Sequence, residues 1–213
     1  MDNLELLSNV SYLSLVIPFV VGAIRWRHLN VIQRIIFAIV VLTVFNDSLT
    51  IVLNRNEQNN LWVYHFYEPL YFLLVALLYR KTVEFGSMRK AVDILTIVFL
   101  IFSVINSIFF QPLDQFNANA IRIGMIVFIV LVLVYFQSLL KAQSYTELER
   151  KPVFWMSVGL LLYNSGALTI FILGDYFLES DRELVTSFWS LNVIFNIVLI
   201  GFYSIALWVT PQE

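Results

Sequence analysis

The sequence predicts an all-α integral membrane protein, a bundle of seven helices crossing the bilayer with its amino terminus outside and its carboxyl terminus in the cytoplasm. Three observations predict it. Of 213 residues, 60% are hydrophobic and 13% charged, whereas a soluble domain is about half apolar and a quarter charged. Seven apolar runs have the length needed to cross a hydrocarbon core. The short polar breaks between them alternate in basic content.

The runs cover residues 4–24, 31–53, 61–79, 91–110, 120–140, 152–174 and 184–209. The first follows MDNLELL, which has acids and no basic n-region, so it is expected to stay in the protein rather than be cleaved as a signal peptide. It ends at RWRHLN, and the second run follows and stops at NRNEQNN. The third begins at Leu61, beside the interfacial Trp62, and ends at RKTVEFGSMRK. The fourth and fifth are separated by QPLDQFNAN, the fifth and sixth by KAQSYTELERK, and the sixth and seventh by DYFLESDRE. No break is long enough for a separate soluble domain, so residues 1–213 form a single transmembrane domain.

Orientation follows from the basic residues. One set of loops and flanks holds Arg25, Arg27, Arg34, Arg80, Lys81, Arg89, Lys90, Lys141, Arg150 and Lys151. The other holds Arg55, Arg122 and Arg182. The richer set is cytoplasmic. The tryptophans agree with two interfacial belts, Trp62 and Trp189 outside and Trp26, Trp155 and Trp208 inside. A multi-pass protein of the inner (plasma) membrane is expected, in contact with the lipid bilayer.

An internal echo links the second and sixth spans. FNDSLTIVL (residues 45–53) and YNSGALTIFIL (residues 163–173) each precede a polar loop and an aromatic-rich helix. Pairing spans one to three with five to seven leaves the fourth as a linker, a 3+1+3 parallel repeat of the kind found in several transporters. Chance similarity between apolar helices is the competing explanation.

Polar side chains inside a span are costly, so their placement is informative. The second span carries Thr43, Asn46, Asp47 and Thr50 at i, i+3, i+4 and i+7, one helical face. The third carries Tyr64, Tyr67, Glu68 and Tyr71 at the same spacing, beside His65. Further stripes are Ser103, Asn106 and Ser107 in the fourth span and Asn164, Ser165 and Thr169 in the sixth. The seventh carries Trp189, Asn192, Asn196 and Tyr203. At about 1.5 Å of rise per residue, these groups gather in the outer half, around an expected cavity open to the outside and closed below. Asp47 or Glu68 is expected to pair with His65 or Arg122, or to hold a proton, because an isolated carboxylate at that depth neutralises itself. Pro69 should bend the third span beside these charges.

The ligand-binding set expected from this pattern is Asn46, Asp47, Tyr64, His65, Tyr67, Glu68, Arg122, Asn164, Asn192 and Asn196. Asn, Ser and Thr stripes also hold helices together by interhelical hydrogen bonds, and that reading competes.

Several chemistries are disfavoured. The chain has no cysteine and two histidines. His28 and His65 belong to opposite ends of the bundle, so they cannot share a metal. No cofactor is expected: no lysine lies within a span for a retinal Schiff base, and no glycine-rich phosphate loop is present. A net charge of −2 gives no footprint for nucleic acid.

The stretch NNLWVYHFYEPLYFLLVALLY (residues 59–79) resembles a pattern in small bacterial seven-helix proteins associated with sensory and signalling genes. That resemblance implies a sensor or accessory role and assigns no residue. The 3+1+3 layout is also similar to the SWEET and PQ-loop families, although their proline–glutamine motif lies within a span and Pro211-Gln212 lies in the tail. The leading expectation is a sensor or receptor-like module. It would bind a small molecule from the outer side and signal to a membrane or cytoplasmic partner. The alternatives are a small-solute transporter and an intramembrane lipid-acting enzyme with His65 and the acids as general acid–base groups.

Overall fold

The computed structural model describes residues 3–143, 147–177 and 182–210, excluding the side chains of 3–5, 173–177 and 182–184. Residues 1–2, 144–146 and 178–181 and the Pro211-Gln212 tail therefore lie outside the described residues. Seven helical segments are long and apolar enough to cross a membrane, from Leu6–His28 through Val185–Trp208.

Eight α-helices make these crossings. The first span is α1 (Asn3–Ser14) and α2 (Val16–Arg25), followed by a 3-10 turn over Trp26–His28. The others are α3 (Val31–Arg55), α4 (Leu61–Thr82), α5 (Gly86–Ile105), α6 (Ala118–Lys141), α7 (Pro152–Phe177) and α8 (Arg182–Trp208). A π-helical turn, Asn106–Phe110, finishes the fourth span.

A helix break falls in the first span, ahead of Pro18. Pro18 lacks a backbone N–H, and its ring crowds the carbonyl four residues earlier, at Ser14, where α1 ends. Helix α4 runs unbroken past Pro69. The loop expected at RKTVEFGSMRK shrinks to Val83–Phe85, because Arg80 and Lys81 extend α4 while Arg89 and Lys90 join α5. Long basic side chains prolong a helix into the interface by reaching for water.

Local chemistry fixes several ends. The Asn30 side chain accepts the Gln33 N–H at 2.9 Å, and the Gln33 side chain accepts the Asn30 N–H at 3.3 Å, a reciprocal cap for α3. Pro152 opens α7 at a position where a missing N–H costs nothing. Arg80 and Asp93 form an exposed ion pair, of a kind worth at most about 1 kcal/mol.

Six spans close into a ring. The first packs on α3 and α8, α3 on α4, α4 on α6, α6 on α7, and α7 on α8. Helix α5 sits outside the ring, touching α4 and α6 and turning Ile94, Ile97, Val98 and Ile101 outward. Lipid is as apolar as these side chains, so close packing rather than water exclusion must hold the ring. Small residues supply it. A Cβ on Gly166 would lie 2.4 Å from the Phe195 ring, and one on Gly159 would lie 2.8 Å from Phe202. Helices α7 and α8 thus approach more closely than alanine allows. Exchanging spans one, two and three with five, six and seven maps each substantial ring contact onto another. This is the adjacency a 3+1+3 layout requires, although any closed ring of six has the same exchange symmetry.

Candidate ligand-binding cavity

The ring surrounds an axial cavity of about 100 Å³. Every ring span contributes to its wall and α5 does not. The polar lining is Thr43 from α3, Tyr67, Glu68 and Tyr71 from α4, Tyr163 and Asn164 from α7, and Asn196 and Tyr203 from α8. The apolar lining includes Leu15 at the break of the first span, with Ile121, Met125 and Phe128 from α6. Glu68 lies seven residues into α4, about 10 Å from its outer end, and Thr43 lies about 18 Å from the outer end of α3. The cavity therefore reaches the middle of the bundle, deeper than the outer half expected from the sequence.

Its floor is a hydrogen bond of 2.5 Å between the Tyr71 and Tyr203 hydroxyls. Below it the bundle is packed shut by Leu78, Tyr79, Leu131, Tyr135, Met156 and Leu160, all at most 1% exposed. This inner half is less apolar than expected, since Tyr79 bonds Ser157 at 2.9 Å and Gln33 and Ser138 are buried. It contains no buried acid or base among the described residues.

Glu68 makes no hydrogen bond or ion pair to a described residue. Asp47 is elsewhere. It accepts from the buried Asn46 amide at 3.0 Å and lines a separate groove of about 170 Å³ between the first span and α3, with Tyr12, Val16, Phe19 and Ser48. Leu15, only 3% exposed, borders both spaces.

The expected pairing of acids with bases is not present among the described residues. His65 engages Ser107 through Nδ1 at 2.8 Å and the Gln115 carbonyl through Nε2 at 3.0 Å. It tethers the α5–α6 hairpin, which is further tied by Asn106 donating to Asn117 at 2.9 Å and to Gln111 at 3.1 Å. Arg122 donates to the Phe171 carbonyl at 3.2 Å. Tyr64 packs edge-on against Phe116, and Asn192 is half-buried beside neither acid's cavity. Of the expected set, the cavity brings together Tyr67, Glu68, Asn164 and Asn196.

Two polar residues outside the expected set matter at the inner end. Gln33, 1% exposed, donates through Nε2 to the carbonyls of Ala206 at 3.1 Å and Val209 at 2.9 Å. Arg25 donates to the carbonyls of Leu207, at 3.3 Å, and Trp208, and lies over the Trp208 ring. A helix leaves its last four carbonyls without internal donors, and these two side chains supply donors for the end of α8. Nothing in the hydropathy pattern marks Gln33, which resembles any polar residue near a helix start; its capping relation to Asn30 is the one local signal.

The chain matches no protein-family model, no curated protein and no solved structure. The reading of the site therefore rests on its geometry.

Proposed function

We propose that the chain is a receptor-like module of the cytoplasmic membrane. It takes a small solute into the axial cavity from the outer side. Its occupancy is passed along α8 to a membrane or cytoplasmic partner at the inner end. The observation that carries this reading is Glu68, a carboxylate without a protein partner in a cavity walled by six spans and closed below by packed side chains. Helix α8 suits the relay. It lines the cavity with Asn196 and Tyr203, and Arg25 and Gln33 hold its inner end.

A transporter is the second reading. The mid-depth cavity and the 3+1+3 adjacency favour it, because such proteins bind substrate near the midplane between two three-helix units. The lipid-acting enzyme loses its main support, since both His65 ring nitrogens are engaged in the hairpin tether.

Thiol labelling separates these readings, and the chain offers a cysteine-free background. Asn196→Cys is treated with a membrane-impermeant thiol reagent in vesicles of each orientation. A receptor gives labelling from the outer face only. Labelling from both faces favours the transporter, and labelling from neither removes the accessible cavity on which both depend.

A further inference from the structure

We infer that the axial cavity takes a small organic ammonium ion; the inference rests on the receptor reading above and adds the ligand's chemical class. It starts from where the lining's hydrogens go. Asn164 spends an amide hydrogen on the Leu160 carbonyl at 2.7 Å, and only an NH₂ group can face a carbonyl. Asn196 donates its amide to Ser11 at 3.1 Å. Thr43 donates to the Ile39 carbonyl at 3.0 Å, so the Tyr67 hydroxyl, 3.1 Å from Thr43 Oγ1, is the donor of that pair. One hydroxyl hydrogen of the Tyr71–Tyr203 pair is spent inside the pair.

Acceptors are left in excess, since the lining hydrogens still unspent are the Tyr163 hydroxyl, one hydroxyl of the Tyr71–Tyr203 pair and the second hydrogen of each asparagine amide. Both carboxylate oxygens of Glu68 and the side-chain carbonyls of Asn164 and Asn196 have no donor among the described residues. Among the described residues, no lysine, arginine or histidine lines the cavity. An anion would meet a carboxylate and carbonyl oxygens. Beside a neutral ligand Glu68 would be either a costly unpaired carboxylate or a protonated acid. A cation lets it stay ionised and gives it a partner.

Shape and aromatic content select an organic cation. An apolar cavity of about 150 Å³ holds benzene, so about 100 Å³ accommodates roughly four heavy atoms. Tyrosine rings attract ammonium groups through their faces, and four tyrosines line this space. The α6 wall, with Ile121, Met125 and Phe128, is apolar and offers no oxygen to an alkali ion. Alkyl groups suit that wall.

The test uses the full chain in lipid nanodiscs and titrates trimethylammonium, with 2-propanol as a neutral molecule of similar shape, acetate, and sodium. Calorimetry reads binding and thermal unfolding reads folding. Saturable binding of trimethylammonium alone is expected. Glu68→Gln should weaken it at least tenfold while unfolding at the wild-type temperature. Tyr163→Leu, which keeps the carboxylate and removes one ring, should weaken it several-fold and serves if Glu68→Gln does not fold. Equal binding by 2-propanol, displacement by equimolar sodium, or unchanged affinity in both variants overturns the inference. No binding by any probe, with outer-face labelling of Asn196→Cys intact, overturns the ammonium assignment and leaves the receptor reading standing. No binding and no labelling overturns both.

Discussion

Replacing Gln33 with leucine should loosen the inner end of the bundle. Leucine has nearly the same volume, so packing at this 1%-exposed position survives while every polar contact is lost. The Ala206 and Val209 carbonyls lose a donor and the Asn30 N–H loses its acceptor. A net hydrogen bond contributes about 0.5–1.5 kcal/mol, and an orphaned buried partner adds to the loss. Arg25 still serves Leu207 and Trp208. The expected destabilisation is therefore about 2–4 kcal/mol, which for a chain of this size lowers the unfolding midpoint by roughly 5–15 °C. Thermal unfolding of the detergent-solubilised protein, followed by circular dichroism, reads it. A second readout localises the effect: Ala206→Cys, fully buried in the native packing, should label from the inner face only when Gln33 is leucine. A midpoint within about 2 °C of wild type, with Ala206→Cys still protected, would refute the idea that Gln33 holds α8.

Four further outcomes follow from the same geometry. Gly166→Ala puts a Cβ 2.4 Å from the Phe195 ring and should destabilise by about 1–3 kcal/mol, read as a lower unfolding midpoint; Gly86→Ala, where a Cβ meets nothing within 4 Å, is its neutral control. Ser11→Cys with Asn196→Cys should cross-link under mild oxidation, because the two side chains are 3.1 Å apart where the ring closes between α1 and α8; no disulfide on a denaturing gel would contradict the ring. His65→Ala should lower thermal stability by about 1–3 kcal/mol through its two lost tethers, yet leave calorimetric binding in the axial cavity unchanged. Asp47→Asn should likewise leave that binding intact, since Asp47 lines the lateral groove; loss of binding in either variant would place these residues in the site after all.

The seven crossings were legible because a bilayer demands about 20 apolar residues per helix and leaves little alternative. The site was legible only in part. Depth can be read from position along a helix, and it placed Asp47, His65 and Glu68 at comparable levels. Azimuth cannot be read without the neighbours. The stripe Thr43, Asn46, Asp47 and Thr50 spans a broad arc, so Thr43 reaches the axis while Asp47 faces the first span. His65 and Glu68 are three residues apart, about 60° around α4, enough for one to meet the hairpin and the other the cavity. Pro69 drew attention as a place for a bend, and α4 is continuous across it; the proline before which a helix ends is Pro18, which drew none. Tyr203 stood in the polar stripe of the seventh span, whereas Tyr163 was visible only as an aromatic residue of an apolar helix, and ring closure shows that both face Glu68's cavity. Gln33 caps a helix 173 residues away in sequence, a relation no local pattern encodes.

The account's central claim is a mid-depth cavity, walled by six spans, in which Glu68 meets something other than protein. An experimental density map fine enough to show side chains and small ligands tests it most directly. The expected map shows α1 against α8, α5 outside the ring, and non-protein density within hydrogen-bond distance of the Glu68 carboxylate, above the Tyr71–Tyr203 pair. A Glu68 side chain paired with arginine or histidine, in a bundle whose axis is filled by protein, would contradict it.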